Sequence, residues 1–350
     1  MAAEGISRHH APMRRSLRRS AVLCFLAVAG AGVPATASAQ RPSFGPLTFE
    51  EGSPLQRISY TPMMEDADVA APGEFVTDVW LAYSNIFEQD SSATHVLFLD
   101  LARLISTVTV RWGAAESLEI GGRVTLESTG AGALDGFIVG WHDLFGFGNA
   151  NRDRFPEDVY AQRLTNGDGD TFLDVPRETL GFEDARLFVK WRALRSKDER
   201  SVLSLRAVTR IPGSANPAGG ERADVALMAL GRLGIGAWYG HTMFGVSTLR
   251  ASPALDPILR DKSFFLTLAL ERSLGASLAA VVQFQTQSAV LESFNHREID
   301  RAPTNLVFGL AGRVGEAWSW DASLQEDIPA DTPSIDFTLA LRVSRTWQPR

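Results

Sequence analysis

The chain has 350 residues, a formal net charge of −7 and a single cysteine, and 45% of its residues are hydrophobic. The acidic balance argues against a nucleic-acid partner, because proteins that bind nucleic acids present clustered lysine and arginine. The lone Cys24 excludes internal disulfides and thiolate metal sites.

Residues 1–39 have the features of a signal peptide. A basic segment with four arginines precedes an apolar run over 21–33, and Ala37-Ser38-Ala39 supplies small residues for cleavage. A membrane-anchoring helix is the alternative, but it needs about twenty apolar residues. We therefore expect export with cleavage before Gln40, which removes Cys24. Without this segment's five arginines and one glutamate, the net charge is −11.

The next segment, residues 40–74, is called the leader. It contains Pro42, Pro46, Pro54, Pro62 and Pro72 and few apolar runs, which predicts an extended chain without regular structure. We expect it to lie in the periplasm or against the rest of the protein.

From residue 75 onward, apolar and polar residues alternate in segments of about ten residues, the length of a tilted strand that crosses a bilayer. Near the C-terminus, for example, Phe337, Leu339 and Leu341 alternate with Thr338 and Ala340. The predicted strands are 75–87, 103–112, 118–127, 184–193, 201–211, 223–233, 237–249, 262–272, 277–287, 304–314, 318–327 and 335–347.

Connection lengths and tryptophans favour a membrane barrel over a soluble β-sandwich. Short and long connections alternate along the chain, and the longest spans 128–183. Short periplasmic turns and long external loops are typical of outer-membrane barrels. Six tryptophans adjoin the short turns or the C-terminus and share the apolar face, as in an interfacial girdle. They are Trp112, Trp191, Trp238, Trp318, Trp320 and Trp347.

We therefore predict an all-β fold, a transmembrane antiparallel up-and-down β-barrel of about twelve strands over 75–350. The expected location is the outer membrane of a Gram-negative bacterium, reached with the help of the barrel-assembly machinery and surrounded by outer-membrane lipid. The long loop is predicted to carry a short helix, because apolar residues recur at three- and four-residue spacing over 134–145. That helix would either constrict a pore or seal the barrel as a lid.

Two groups of residues in the long loop have side chains of the types found in catalytic sites and metal sites. His142 and Asp143 are neighbours, which in a helix point about 100° apart and cannot form a relay, so a structural role is favoured over a catalytic one. Asn166, Asp168, Asp170 and Asp174 have the spacing of calcium ligands. An ordinary acidic surface turn is the alternative, because the glycine and final glutamate of a calcium loop are absent. Ca²⁺ is the only candidate cofactor.

Alternation also predicts which charged side chains point into the barrel. An inward basic stripe would lower the barrier for anions, whereas ion pairs that merely fill a narrow barrel are the alternative. The predicted lumen-lining residues are Arg111, Arg123, Arg186, Lys190, Arg192, Arg206, Arg210, Arg313, Arg342, Glu119 and Glu127.

Several short motifs together resemble a family of uncharacterised proteobacterial outer-membrane proteins, a domain of unknown function. They are Gly45-Pro46-Leu47, Ser84-Asn85-Ile86-Phe87, Leu134-Asp135-Gly136-Phe137-Ile138, His142-Asp143-Leu144-Phe145-Gly146, Arg152, Glu326-Asp327 and Asp336-Phe337. Trp141 departs from the phenylalanine expected before the His-Asp pair. The resemblance implies an outer-membrane barrel and brings no activity. Within it, Asp135, His142, Asp143 and Arg152 form the loop motif.

Three functions follow from these patterns. The first is a narrow channel or uptake barrel for small polar or anionic solutes. The second is a membrane-embedded lipid hydrolase, although the sequence has neither a G-x-S-x-G motif nor a clear serine partner, so an enzyme is not expected. The third is a plugged structural or assembly barrel. Whether the leader plugs the lumen does not follow from the sequence.

Overall fold

A computed structural model describes residues 43–92, 95–132, 159–166, 171–174, 180–215, 222–250, 259–292, 300–327 and 337–348, with 134, 136, 137, 140, 156 and 169. Fourteen strands lie within these ranges, and twelve of them close an antiparallel barrel. Each barrel strand pairs with the next one along the chain, and β14 closes the ring on β1 from Phe75↔Trp347 to Asn85↔Phe337. The predicted twelve-stranded barrel is confirmed.

The strands have the following bounds: β1 Phe75–Ser91, β2 His95–Ala115, β3 Leu118–Gly130, β4 Ala161–Asn166, β5 Thr171–Asp174, β6 Gly181–Arg195, β7 Ser201–Pro212, β8 Asp224–Ile235, β9 Trp238–Thr248, β10 Lys262–Ser273, β11 Leu278–Gln287, β12 Thr304–Val314, β13 Trp318–Asp327 and β14 Phe337–Trp347. All except β4 and β5 belong to the barrel. The end that carries the connections 116–117, 196–200, 236–237, 274–277 and 315–317 is called the turn end. The opposite end is the loop end.

Alternation along each strand separates an apolar outer face from a polar inner face. In β10, Phe264, Leu266 and Leu268 are exposed, whereas Thr267 and Glu271 are buried inside. Exposed aliphatic side chains on this scale suit lipid rather than water. The tryptophan girdle surrounds the turn end: five of its six members are more than a third exposed, and Trp320 is half-buried.

The first two strands are longer than predicted, so the expected external connection over 88–102 is largely sheet. Leu97, Leu99 and Leu101 continue the inward alternation of β2 and are buried inside the barrel. The hairpin of β4 and β5 then extends the sheet by pairing β4 with residues 95–100 of β2. This hairpin belongs to the long loop over 128–183, where no strand was predicted.

The helix predicted over 134–145 lies mostly outside the described residues. Gly136, Phe137 and Gly140, which are described, have a helical backbone. No helix in the described ranges combines the length and the hydrophobicity needed to cross a bilayer.

Candidate functional site: the leader and the inner wall

The leader lies inside the barrel. Residues 43–74, all of which the structure describes, contain neither a strand nor a helix, and every residue from 44 to 64 is buried. The chain passes Glu271 at the turn end, rises to the loop end near Gln56, which accepts a hydrogen bond from Gln287, and descends to β1. The lumen is therefore filled by a loop of the protein's own N-terminal segment.

An apolar cluster holds the tip of the leader at the loop end. Leu55 and Ile58 pack with the inward leucines of β2 and with Leu164 of β4, and all are at most 1% exposed. Burial of a leucine-sized side chain contributes about 1.5–3 kcal/mol. The extension of β2 beyond its predicted end, together with β4, thus supplies much of the apolar surface against which the tip packs.

A buried network of charged side chains adjoins this cluster on the side of the turn end. Arg57 of the leader forms a two-point pair with Glu183 of β6, with Nε–Oε1 and Nη2–Oε2 distances of 2.5 and 2.7 Å. Glu50 lies 3.3 Å from Arg57 and also pairs with Arg186. Arg186 donates to Asp184 at 2.9 Å and to the carbonyl oxygen of Thr61 at 3.0 Å. Guanidinium groups suit such sites because their planar fork matches a carboxylate.

The descending part of the leader carries Glu65, Asp66 and Asp68 along the basic inner wall. Glu65 Oε1 lies 2.9 Å from Arg206 Nη1. Asp66 Oδ1 lies 2.7 Å from Arg232 Nη1, and the carboxylate of Asp68 lies between Arg192 and Arg232. Each leader carboxylate in this segment therefore faces at least one wall cation.

The beginning of the leader is anchored by Glu271 of β10. This carboxylate accepts hydrogen bonds from Ser43 Oγ at 2.7 Å and from the backbone N–H of Phe44 at 2.8 Å. His241 Nε2 lies 3.0 Å from the same carboxylate. Arg313 donates to the carbonyl oxygen of Ser43 at 2.6 Å and stacks over the Phe44 ring.

A second ion-pair group joins β1, β2, β13 and β14. Asp78 lies 3.0 Å from Arg111 and 3.1 Å from Arg342, and Arg342 also pairs with Asp321 at 2.5 Å. Asp321 in turn accepts from the hydroxyl and N–H of Thr48 in the leader. Asp78, Arg111 and Arg342 line a cavity of about 270 Å³ between the leader and the wall, which Glu65, Asp66 and Asp68 also line.

Burial and charge shift the pKa values of the leader carboxylates in opposite directions. Burial raises the pKa of Glu51 to about 6, against the hydrogen bonds that it accepts from Ser53 and Asn305. Burial would also raise the pKa of Glu65, but Arg206, Lys190 and Arg123 outweigh it and lower the value to about 2.

Each of the eleven predicted lumen-lining side chains contacts the leader or another inward side chain. Contacts not described above are those of Arg123 with Glu65 at 3.4 Å, Lys190 with Glu119 at 3.0 Å, and Glu127 with Arg103. Arg210 lies 2.9 Å from Asp184 and 3.0 Å from Asp224. The carboxylates of the leader thus enter a wall that the alternation had predicted to be basic.

The other predicted site residues lie where the structure gives no side-chain description. Asp135, His142, Asp143 and Arg152 of the loop motif are outside the described residues, as are Asp168 and Asp170. Asn166 is the last residue of β4 and Asp174 is the last residue of β5, but their side chains are not described. The calcium loop therefore stays a prediction.

Sequence reasoning missed the leader's own contribution. Glu50, Arg57 and Glu65 have no periodic pattern around them, so nothing local predicts that they meet strands more than a hundred residues away. One signal was present: residues 43–74 hold six carboxylates and one arginine, a net charge of −5. Such a segment is complementary to an inward basic stripe.

Sequence comparison relates the chain to one family. The family model described as "Protein of unknown function (DUF3187)" matches residues 22–347. The chain belongs to this DUF3187 family. No curated protein sequence matches the chain significantly.

Three solved structures are similar to this DUF3187 protein. The COG4313 outer membrane channel from Pseudomonas putida F1 is similar with a TM-score of 0.54 and 14% identity, over 81% of this chain and 98% of that one. The NanC porin gives a TM-score of 0.42 at 8% identity, over 78% and 100% of the two chains. The Pseudomonas putida toluene transporter TodX gives 0.39 at 9%, over 80% and 92%. The first likeness shows the barrel fold of an outer-membrane protein.

Proposed function

We propose that this DUF3187 protein is a channel for small polar or anionic solutes and that the leader is its gate. The observation that carries the proposal is the attachment of leader residues 43–74, which have a net charge of −5, to cations of the inner wall by ion pairs. Withdrawal of the leader toward the turn end would uncover the five cations that Glu65, Asp66 and Asp68 now contact, which are Arg123, Lys190, Arg192, Arg206 and Arg232. Such a lining lowers the barrier for anions.

The nature of the contacts favours a displaceable gate. Buried ion pairs lose much of their Coulomb attraction to desolvation, so they hold a segment in a specific position without a large net gain in stability. The cavity of about 270 Å³ beside the leader also provides space that a filled structural plug would not need. Both features support motion of the leader relative to the wall.

A plugged structural barrel is the second candidate, and one observation favours it. Leu55 and Ile58 are sealed in an apolar cluster at the loop end, and leaving that cluster exposes aliphatic surface to water. If this contact never opens, the leader is a permanent part of the barrel's interior and no solute passes. The two candidates differ in whether any solute crosses the barrel.

The arrangement of the one described histidine–carboxylate pair in the lumen does not favour a hydrolase. Ser43 Oγ and His241 Nε2 both contact Glu271 Oε2, at 2.7 and 3.0 Å, so the carboxylate lies between the hydroxyl and the imidazole. In a Ser-His-acid hydrolase the imidazole lies between the other two groups and takes the proton of the serine.

Single-channel recording tests the channel. The mature protein is compared with a variant that lacks residues 43–66, after both have been checked for native mobility on unheated gels. We expect brief openings from the complete chain, long openings from the shortened one, and a reversal potential that indicates anion preference. A correctly folded short variant without current would overturn the channel and support the structural barrel.

A further inference from the structure

We propose that the wall opposite leader residues 65–68 is a binding site for small molecules with two or more carboxylates, and that such a ligand opens the barrel by replacing the leader's own carboxylates. This inference deepens the proposed function and rests on it for its consequence. The binding site itself stands on contacts that the leader makes in the closed state.

The wall in this region brings like charges together. In the pairing of β6 with β7, Lys190 lies directly opposite Arg206, and Arg186 lies opposite Arg210. Like charges in directly opposed positions destabilise a sheet unless an anion compensates them. Asp184 compensates the second pair from the wall itself, because it lies 2.9 Å from both arginines.

The leader compensates the first pair. Glu65 lies 2.9 Å from Arg206 and 3.8 Å from Lys190, and Arg123 approaches the same carboxylate at 3.4 Å. All three cations are at most 5% exposed. Three buried cations around one carboxylate form an anion site that the leader occupies.

A second pair of cations continues the site toward the turn end. Asp66 lies 2.7 Å from Arg232, and Asp68 lies 2.7 Å from Arg192 and 3.2 Å from Arg232. Three carboxylates within four residues are thus matched by five wall cations. When the leader leaves, these five cations keep one wall carboxylate among their described ion-pair partners. It is Glu119, 3.0 Å from Lys190.

The chemical class of the ligand follows from this spacing. A single halide or carboxylate would satisfy one of the two cation groups and leave the other without a counter-charge, which is costly for buried ions. A molecule with two or three carboxylates satisfies both groups. The adjoining cavity of about 270 Å³ borders Arg123 and Arg232 and is near the size of small-molecule sites, which begin at about 300 Å³.

Binding and closure are mutually exclusive, because ligand and leader use the same cations. A ligand that binds only the leader-out state shifts the equilibrium toward that state. The leader thereby acts as an internal competitor, and the barrel opens when its solute is abundant.

Trypsin provides a readout that does not depend on conductance. Arg57–Ile58 is the one tryptic bond within residues 43–74, and Arg57 is buried while the leader is docked. The mature protein in detergent is treated with trypsin, and the fragment that ends at Arg57 is quantified by mass spectrometry. The probes are propane-1,2,3-tricarboxylate, inorganic phosphate and chloride, at equal ionic strength.

We expect tricarboxylate to accelerate this cleavage by at least about tenfold, which corresponds to 1.4 kcal/mol. Arg206→Gln should raise the basal cleavage and abolish the response, whereas Arg206→Lys should retain it. Arg345→Gln is the matched control, because Arg345 stacks on Trp318 and Trp347 of the outer face. It should behave as the unmodified protein.

Each other result has a defined meaning. Equal acceleration by phosphate would overturn the carboxylate class, and equal acceleration by chloride would overturn the site. A response that persists in Arg206→Gln would also overturn it. Because no current is measured, a protein that responds to tricarboxylate but never conducts would contradict the channel and leave the binding site intact.

Discussion

Arg57 of the leader and Glu183 of β6 form a two-point ion pair in which both side chains are at most 1% exposed. Removal of Glu183 leaves the buried Arg57 with Glu50, at 3.3 Å, as its described carboxylate, and breaking a buried ion pair in this way costs about 3–5 kcal/mol. We therefore expect Glu183→Gln to loosen the leader and to increase tryptic cleavage at Arg57 more than a hundredfold, about the factor that 3 kcal/mol gives. Asp198→Asn, at an exposed turn, is the control, and equal cleavage in both variants would contradict a role for the pair in docking.

The apolar tip of the leader offers a second test. Leu55→Ala should destabilise the docked leader by about 2–5 kcal/mol, because truncation of a buried leucine loses transfer energy and leaves a cavity. The measurement is again the rate of cleavage at Arg57. Leu227→Ala removes the same atoms from a side chain that is 57% exposed on the outer face and should leave the rate unchanged.

Docking of the leader should depend on pH through Glu51. Its pKa is about 6 in the docked leader and 4.5 ordinarily, so its contribution to docking is full below about pH 4.5 and is lost as the pH rises through 6. The difference corresponds to about 2 kcal/mol. The open fraction in single-channel records should fall as the pH is lowered from 7.5 to 4.5. In the Glu51→Gln variant, the change in open fraction between pH 7.5 and 4.5 should disappear. A pH profile equal to that of the unmodified protein would be evidence against control of docking by Glu51.

Glu65 and Asp66 act in the opposite direction at lower pH. Both have pKa values lowered to about 2 in spite of their burial, chiefly by Arg206 and Arg232 respectively. Their contribution is present above their ordinary values and is lost as the pH falls toward 2. Cleavage by pepsin within the leader should therefore rise sharply below about pH 3. Glu65→Gln/Asp66→Asn should already be cleaved at pH 4, and resistance of this variant would refute the assignment.

Gly113 permits the close approach of the leader to β2 at the turn end. Gly73 N–H donates to Gly113 O at 2.8 Å, and a Cβ atom on Gly113 would lie 2.0 Å from Ala71 O. Gly113→Ala should therefore displace residues 71–74 and lower the melting temperature. Gly275→Ala places its Cβ in open space in another turn and is the control. Equal melting temperatures would show that the crossing is adaptable.

Local periodicity made the barrel predictable from the sequence. It gave no information about the segment that fills the lumen. Alternation such as that of residues 264–271 determines both the strand and the face of each side chain, so the twelve strands and the inward cations follow from short segments. The same alternation continues at Leu97, Leu99 and Leu101, but the predicted strand starts at residue 103, whereas β2 begins at His95. Strand ends are less constrained by periodicity than strand centres are.

The leader has no such pattern. Its prolines exclude regular structure, and its contacts, such as Ser43 with Glu271 and Thr48 with Asp321, join residues more than two hundred positions apart. Nothing in a short segment specifies a partner at that distance. The ion pairs between the wall and the leader therefore depend on the folded barrel and are not predictable from short segments.

The central claim, that movement of the leader opens the barrel, is tested most directly by fixing the leader to the wall. Ser204 Oγ of β7 donates to the carbonyl oxygen of Ala67 at 2.5 Å, and Cys24, the one cysteine, lies in the predicted signal peptide. Ala67→Cys/Ser204→Cys is therefore recorded in a planar bilayer before and after oxidation to the disulfide, or after bridging with a short bis(methanethiosulfonate), which forms a disulfide with each cysteine and releases sulfinate; Ser204→Cys alone is recorded beside it. We predict that openings disappear on cross-linking, return on reduction of the disulfide, and persist throughout in the single variant. Unchanged current through the cross-linked barrel would contradict the account.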